Sequence, residues 1–224
     1  MDNKCGNDKY ALLTDRPTLY YRASVLALIT IFYNVAEGIF SISFGLKDKT
    51  LSLFGFGIDS FVEVLSGIGI WHMTRRLSVN QGASPDSFEK QALKIIGIAF
   101  YLLSGGLIIS SIINIYIKHS PKTTFWGIVV SLVSIFTMWI LIHYKVKVGN
   151  SLKSDAILAD ANCTKACLYL SFILLMSSAI FEFTGIGYVD SIGALGISYF
   201  AFNEGRESFE KANGKSCSCH YCDN

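Results

Sequence analysis

The chain alternates between long apolar runs and short polar segments. Six apolar runs follow one another, and they cover residues 20–45, 51–73, 91–117, 125–144, 156–181 and 188–203. An α-helix needs about 20 predominantly apolar residues to cross the hydrocarbon core of a bilayer, and only the sixth run is clearly shorter than this. The pattern predicts an all-α membrane protein with six transmembrane helices joined by short connections.

The composition leaves little room for a soluble domain. Of the 224 residues, 51% are hydrophobic and 16% are charged, which departs from the usual composition of soluble domains. We therefore divide the chain into a lead at residues 1–18, a six-span domain at 19–205 and a tail at 206–224. The first apolar run lacks the basic start and the cleavage site of a signal peptide, so we expect it to remain as a span.

The distribution of basic residues indicates the orientation of the chain. The lead, the second and fourth connections and the tail hold twelve of them, namely Lys4, Lys9, Arg16, Arg75, Arg76, Lys90, Lys145, Lys147, Lys153, Arg206, Lys211 and Lys215. The other connections hold four, namely Lys47, Lys49, Lys118 and Lys122. Because connections rich in Lys and Arg stay in the cytoplasm, both termini are predicted to be cytoplasmic. The net charge of +2 is small and scattered, which argues against a nucleic-acid partner.

The fifth run carries residue types that membrane helices rarely contain without a role. Cys163 and Cys167 are four residues apart, so on a helix both thiols lie on one face, one turn apart. Asp160 precedes Cys163 by three residues and shares that face. Ionisable groups at membrane depth mark functional sites. We therefore interpret the two cysteines as candidate metal ligands and Asp160 as an auxiliary one.

The second run repeats this spacing with carboxylates. Asp59 and Glu63 are four residues apart, and two acids on one helix face repel each other unless a cation or a proton intervenes. Two helices that each present a pair of potential ligands predict one site between them. Two thiolates with two carboxylates suit a four-coordinate Zn²⁺ or Cd²⁺, whereas Mg²⁺ and Ca²⁺ prefer oxygen ligands alone.

The tail ends in a second group of metal-binding residue types. Cys217, Cys219, His220 and Cys222 place four nitrogen or sulfur ligands within six residues. Six residues are too few to fold as a zinc finger, so we interpret the group as a flexible arm that captures metal at the cytoplasmic mouth of the site. Clustered cysteines also differ from a disulfide framework and fit a reducing compartment.

Each of these groups has a simpler structural interpretation. Buried cysteines often serve as small apolar residues, the two carboxylates could bond to other helices, and the tail could be incidental. Asn34 and Glu37 in the first run are expected to face the protein interior, in packing or in proton passage. The sequence contains no phosphate-binding loop and no Ser-His-Asp set, so we do not expect an enzyme.

The segments around these residues resemble the cation diffusion facilitators. Residues 34–67 are similar to the first two spans of that family and residues 154–171 to its fifth span, and Asp190 opens the sixth run where the family usually has Asp. The resemblance implies a homodimer of six-span chains that exchanges Zn²⁺ or a related ion for protons.

Residue by residue, the resemblance places the family's transport site on Asp59, Glu63, Cys163 and Cys167. The chain departs from the family pattern in two respects. Cysteines replace the usual His and Asp of the fifth span, which points to a softer ion. About twenty residues that end in the cysteine cluster stand where the family has a cytoplasmic domain, so that domain's role in dimerisation does not carry over.

These observations predict a multi-pass protein of the cell membrane that exports Zn²⁺ or Cd²⁺ by proton antiport. The metal ion is the transported substrate, the proton is the counter-ion, and the lipid bilayer is the surrounding partner. Two alternatives remain open. One is a carrier or importer of a soft ion such as Cu(I) or Hg²⁺, and the other is a membrane thiol-redox or metal-sensing protein that transports nothing.

Overall fold

The structure of the chain is a computed structural model that describes residues 4–79, 87–117, 120–152 and 155–213. Within these ranges the description leaves out the side chains of residues 4–17, 66, 73, 77–79, 87–93, 96, 155, 156, 159, 162, 163 and 211. Six α-helices follow one another: α1 (Lys4–Asp48), α2 (Leu51–Val79), α3 (Ser87–Tyr116), α4 (Phe125–Leu152), α5 (Asp155–Thr184) and α6 (Tyr188–Ala212). These ranges contain no β-strand, which confirms the all-α prediction.

Five of these helices contain a stretch that is long and apolar enough to cross a membrane. In the described part of the chain, the stretches are Thr18–Asp48, Leu51–Arg76, Gly97–Tyr116, Phe125–Leu152 and Thr164–Thr184. They overlap the first five apolar runs of the sequence. The apolar part of α6 is shorter and lies between Asp190 and Glu204. A six-span topology with cytoplasmic termini therefore stays a prediction.

The core of the bundle lies between α2, α3, α5 and α6. Leu53 and Phe56 of α2 pack there with Leu174 of α5, and α6 adds Ala194 and Ile197. Helix α6 contributes one face to this core, whereas Ile192, Tyr199 and Phe202 on its other face are exposed.

The outward faces of the other helices carry large apolar side chains. Phe32 of α1, Leu102 and Ile109 of α3, and Phe136 and Trp139 of α4 are all well exposed. Such a surface is unusual for a soluble protein and suits contact with the acyl chains of a bilayer.

A tight turn holds α1 and α2 side by side. Lys49 has a positive φ of 58°, and the backbone N–H of Thr50 donates to the carbonyl oxygen of Gly45 over 2.9 Å. Further along, a Cβ added to Gly57 would lie 2.8 Å from the backbone nitrogen of Ile42. Small residues at such contacts allow two helix backbones to approach closely. This close approach allows even short side chains of α1 to contact side chains of α2.

Two carboxylates close one end of the bundle. Asp190 in the first turn of α6 accepts hydrogen bonds from the backbone N–H groups of Leu51 and Ser52, over 2.8 and 3.1 Å, at the start of α2. Glu182 near the end of α5 accepts one from the backbone N–H of Thr124, over 2.9 Å, at the start of α4. The first N–H groups of a helix have no partner within it, and a negative charge there is favourable. We call this end the capped rim.

Several helices extend beyond the predicted apolar runs, and two of these extensions matter here. Helix α1 begins at Lys4, inside the segment predicted as a lead. Helix α4 continues past Tyr144 to Leu152, so Lys145 lies within a helix and is 2% exposed. Our assignment of Lys145 to a connection was therefore wrong, because the lysine has a buried partner that the local sequence does not reveal. Without Lys145, which is buried, the count of basic residues is eleven against four, and the orientation stays a prediction.

Candidate cation site

The two acids of α2 lie deep in the bundle. At a rise of 1.5 Å per residue, Asp59 is about 12 Å and Glu63 about 18 Å from the first residue of the helix. Asp59 is only 3% exposed, and its Oδ1 atom has no hydrogen-bond partner in the described structure. Glu63 is partly buried, and its Oε2 atom accepts a hydrogen bond of 2.8 Å from Nδ2 of Asn34 in α1.

Helix α1 adds a third buried carboxyl group. The hydroxyl of Tyr33 donates to Oε1 of Glu37 over 2.8 Å, and the hydroxyl of Ser60 donates to Oε2 over 3.1 Å. Asn34 and Glu37 are both buried, which confirms that they face the protein interior. Unlike Asp59, Glu37 has a hydrogen-bond donor on each oxygen.

The charges of this region are close enough to affect one another. Asp59 interacts electrostatically with Glu37 and with Glu204 of α6. Glu63 interacts with Asp59, Glu37 and Glu204, and Lys145 provides an opposing positive charge. Four carboxyl groups from three helices therefore act on one another electrostatically, and no ion pair reaches Asp59 or Glu63 among the described side chains. We call Glu37, Asp59, Glu63 and Glu204 the acidic group.

A second charged group joins α4 to α5. Nζ of Lys145 lies 2.8 Å from Oδ2 of Asp160 and donates to the hydroxyl of Thr164 over 2.9 Å. The Thr164 hydroxyl in turn donates to the backbone carbonyl of Asp160 over 3.1 Å. Both charges are buried, and each has its counter-charge in direct contact. The structure thus pairs Asp160 with a lysine, and its predicted auxiliary role toward metal stays a prediction.

Cys167 lies beside these groups in an apolar cluster. It is 4% exposed and packs with Met138 and Leu141 of α4, while Leu26 and Tyr33 of α1 pack against the same cluster. Tyr33 therefore reaches both the thiol cluster and Glu37. In the described structure the thiol of Cys167 forms no disulfide.

The remaining predicted ligands lie outside what the structure describes. Cys163 belongs to α5, one turn before Cys167, but its side chain is among those left out. The tail ligands lie outside the described residues, namely Cys217, Cys219, His220 and Cys222. Among the described side chains, no three His, Cys, Asp or Glu residues come together in an arrangement that could hold a metal ion. The four-ligand set on α2 and α5 stays a prediction.

Sequence reasoning missed three residues that shape this region. Lys145 stands two residues before Lys147, in a pattern that is typical of a cytoplasmic helix end. Glu204 directly follows the sixth apolar run, and Tyr33 is of a residue type that is common at membrane interfaces. A signal existed only for Tyr33, since Glu37 follows it by four residues, and that spacing places both side chains on one helix face.

Comparison with known proteins supports the membrane assignment. No family model matches the chain. Over 148 residues it is 26% identical to Transmembrane protein 163 of Xenopus laevis, and the match covers 65% of this chain and 50% of that protein. The chain therefore spans about half the length of this curated relative. Together with five helices of membrane-spanning length and apolarity, the match identifies the chain as a multi-pass membrane protein.

Proposed function

We propose that the protein transports a divalent metal ion, Zn²⁺ or Cd²⁺, out of the cytoplasm in exchange for protons. The ion binds between α2 and α5, to Asp59, Glu63, Cys163 and Cys167. The resemblance of the α1–α2 and α5 segments to cation diffusion facilitators supports this assignment, and it adds a homodimeric assembly to the proposal. The ion is the substrate, and protons from the opposite side replace it.

One observation supports the proposal above all others. Asp59 lies deep in a membrane helix, almost fully buried, with one carboxylate oxygen that meets no donor. Glu63 stands one turn away, and among the described side chains its hydrogen-bond donor is the amide of Asn34. Two neighbouring acids without a cation are unfavourable in a medium of low dielectric constant. A divalent cation would remove the repulsion, and protons would do so when the ion has left.

The thiols of α5 direct the choice of ion. Cys167 is buried four residues after Cys163, and Tyr33 links its cluster to the acidic group. Sulfur ligands favour Zn²⁺, Cd²⁺ and softer ions over Mg²⁺ and Ca²⁺. Thiols and carboxyl groups must lose protons to bind metal, so binding weakens as the pH falls. This dependence provides the exchange of metal for protons.

Transport in proteoliposomes tests the proposal. Purified full-length protein is reconstituted with a metal-sensitive dye inside the vesicles, and Zn²⁺ or Cd²⁺ is added outside with and without a pH gradient. We expect metal entry that accelerates when the vesicle interior is acidic. Asp59→Asn and the double variant Cys163→Ser/Cys167→Ser should each reduce the rate at least tenfold.

Asp48→Asn is the matched control for Asp59→Asn. Asp48 is also a buried acid with an oxygen that has no partner in the described structure, but it lies at the end of α1 near the capped rim. Its substitution should leave transport within about twofold of the wild type. Full transport by both the Asp59 and the double-cysteine variants would refute the proposed site. Transport that ignores the pH gradient would refute proton exchange alone.

A carrier of a soft ion such as Cu(I) is a second candidate, and one contact favours it. Met138 packs in the same buried cluster as Cys167, and a thioether beside a thiol is a ligand combination that Cu(I) prefers. Met138→Leu distinguishes the two candidates, because it preserves the volume of the side chain. The change should abolish Cu(I) binding by a soft-ion carrier and leave Zn²⁺ binding by the proposed site intact.

A further inference from the structure

The side-chain amide of Asn34 uses its nitrogen in a hydrogen bond, whereas its oxygen has no partner in the described structure. Its Nδ2 atom donates to Glu63 over 2.8 Å, and this bond fixes the plane of the amide. Its Oδ1 atom is buried and accepts no hydrogen bond in the described structure, and the residue is 0% exposed. Buried polar atoms without a partner are rare in folded proteins and call for an explanation.

The hydrogen-bond partner of Asn34 belongs to the acidic group. Glu63 interacts electrostatically with Asp59 and Glu37, and Asp59 has its own buried oxygen without a partner in the described structure. Amide and carboxylate oxygens have nothing to donate to one another. A cation satisfies buried acceptor oxygens of this kind.

The backbone brings Asn34 to this position for a local reason. On both sides of Asn34, α1 packs against glycines of α2. A Cβ on Gly67 would lie 2.8 Å from the side chain of Ile31, and one on Gly57 would lie 2.8 Å from the backbone of Ile42. The close approach of the two helices allows a side chain as short as Asn to reach Glu63 on α2.

We propose that Asn34 is a further ligand of the transported ion, and that its Oδ1 atom binds the ion together with the carboxylates of Asp59 and Glu63. This inference rests on the proposed function and extends its site to a third helix. An amide oxygen is a hard, neutral ligand. It shifts the preference of a site with thiolates toward ions that accept both oxygen and sulfur, such as Zn²⁺ and Co²⁺, and away from Cu(I).

Binding of Co²⁺ and Zn²⁺ to the purified full-length protein tests this inference. Two substitutions separate the roles of the amide. Asn34→Leu removes both the donor and the acceptor, whereas Asn34→Asp keeps an oxygen ligand but cannot donate to Glu63. If Asn34 is a ligand, Asn34→Leu weakens the binding of both ions at least tenfold, and Asn34→Asp binds them as tightly as the wild type or more tightly.

Ser41→Ala is the matched control. Ser41 is also on α1, fully buried, and its hydroxyl has no partner in the described structure, but it lies two turns beyond Asn34. Its substitution should leave both affinities unchanged. The visible absorption of bound Co²⁺ gives a second measurement, because it reports the ligands directly and should shift in the Asn34 variants and not in the control.

Three results would overturn the inference. Unchanged affinity and an unchanged Co²⁺ spectrum in Asn34→Leu would show that the amide does not touch the ion. Equal weakening in Asn34→Asp and Asn34→Leu would show that Asn34 only positions Glu63. Equal weakening in Ser41→Ala and Asn34→Leu would point to a general disturbance of α1.

If Asn34→Leu does not fold, the Co²⁺ spectrum of Asn34→Asp decides the matter, because a ligand role predicts a shifted spectrum, whereas a charge that lies only nearby strengthens binding and leaves the spectrum unchanged. Asp59→Asn separates this inference from the proposed function. If Asp59→Asn loses the ion and Asn34→Leu does not, the inference about Asn34 fails alone. If Asp59→Asn also binds normally, the proposed function fails with it.

Discussion

The two buried charged regions of this molecule solve the same electrostatic problem differently. Between α4 and α5, Asp160 meets the ammonium group of Lys145 at 2.8 Å, and Thr164 bonds to both residues. Between α1 and α2, Asp59 and Glu63 have no cation in contact among the described side chains. In the first region each charge has a counter-charge from the protein. In the second region the carboxylates have no positively charged partner in contact among the described side chains. A region of the second kind is where a cation from outside is expected to bind.

The largest effect on stability is expected at the ion pair between Lys145 and Asp160. Asp160→Asn leaves the buried ammonium of Lys145 without its counter-charge, and breaking a buried ion pair costs about 3–5 kcal/mol. The thermal unfolding temperature of the metal-free protein in detergent should fall markedly. Replacing both partners, as in Lys145→Met/Asp160→Leu, should recover most of the loss. Equal stability of the single and double variants would show that the lost stability does not come from leaving the charge of Lys145 without its partner.

In the acidic group, a substitution is expected to raise the stability of the metal-free protein. Asp59→Asn removes one of the neighbouring acids that have no counter-ion, so the metal-free protein should become more stable. We expect a rise of roughly 2–4 °C in unfolding temperature, which corresponds to about 1 kcal/mol in a chain of this size. Added Zn²⁺ should stabilise the wild type and not the variant. If Asp59→Asn were as destabilising as Asp160→Asn, the contrast between the two regions would be wrong.

The pH should change the affinity of the acidic group for metal. Protons and metal compete for the ligands of the acidic group, so the stabilisation by Zn²⁺ should shrink between about pH 7.5 and about pH 5.5. Asp59→Asn should show no Zn²⁺ effect at either pH. Calorimetric titration of Zn²⁺ at both pH values measures the effect. An affinity that is constant over this range would contradict the exchange of metal for protons.

A neutral polar contact provides the smallest effect and the reference for the others. The hydroxyls of Ser104 in α3 and Ser198 in α6 lie 3.1 Å apart, and each also donates to the other's backbone carbonyl. Hydrogen bonds between membrane helices contribute about 0.6 kcal/mol on average. Ser104→Ala should therefore lower the unfolding temperature by only a degree or two, with Zn²⁺ binding unchanged. A loss as large as that in Asp160→Asn would mean that charge is not what separates the regions.

The sequence predicted the helices of this protein better than their contacts. Five apolar runs and the short sixth one anticipated the six helices, because apolarity and length are properties of each segment alone. The buried position of Asn34 and Glu37 was also predictable, since polar side chains avoid lipid. Helix α6 was harder to place, because its role depends on the four-helix core around Ala194 and Ile197, which no local pattern encodes.

The candidate site was predictable in part for the same reason. The spacing of Asp59 and Glu63 within one helix identified the acidic pair. The partner of Asp160 was not predictable, since Lys145 stands fifteen positions earlier in a stretch that resembles a cytoplasmic helix end. The contact between Asn34 and Glu63 spans 29 positions and depends on the glycines that draw α1 against α2. Side chains that meet only through helix packing leave no local signal.

The capped rim has a consequence for how the protein is made. Asp190 bonds to the backbone N–H of Leu51 across 139 positions of the chain. While the protein is being synthesised, α2 therefore enters the membrane long before its cap exists. Backbone groups without partners are costly in a lipid environment. A chain that stops short of Asp190 lacks the side-chain partner of these N–H groups at the start of α2, so synthesis of the last helix completes the second.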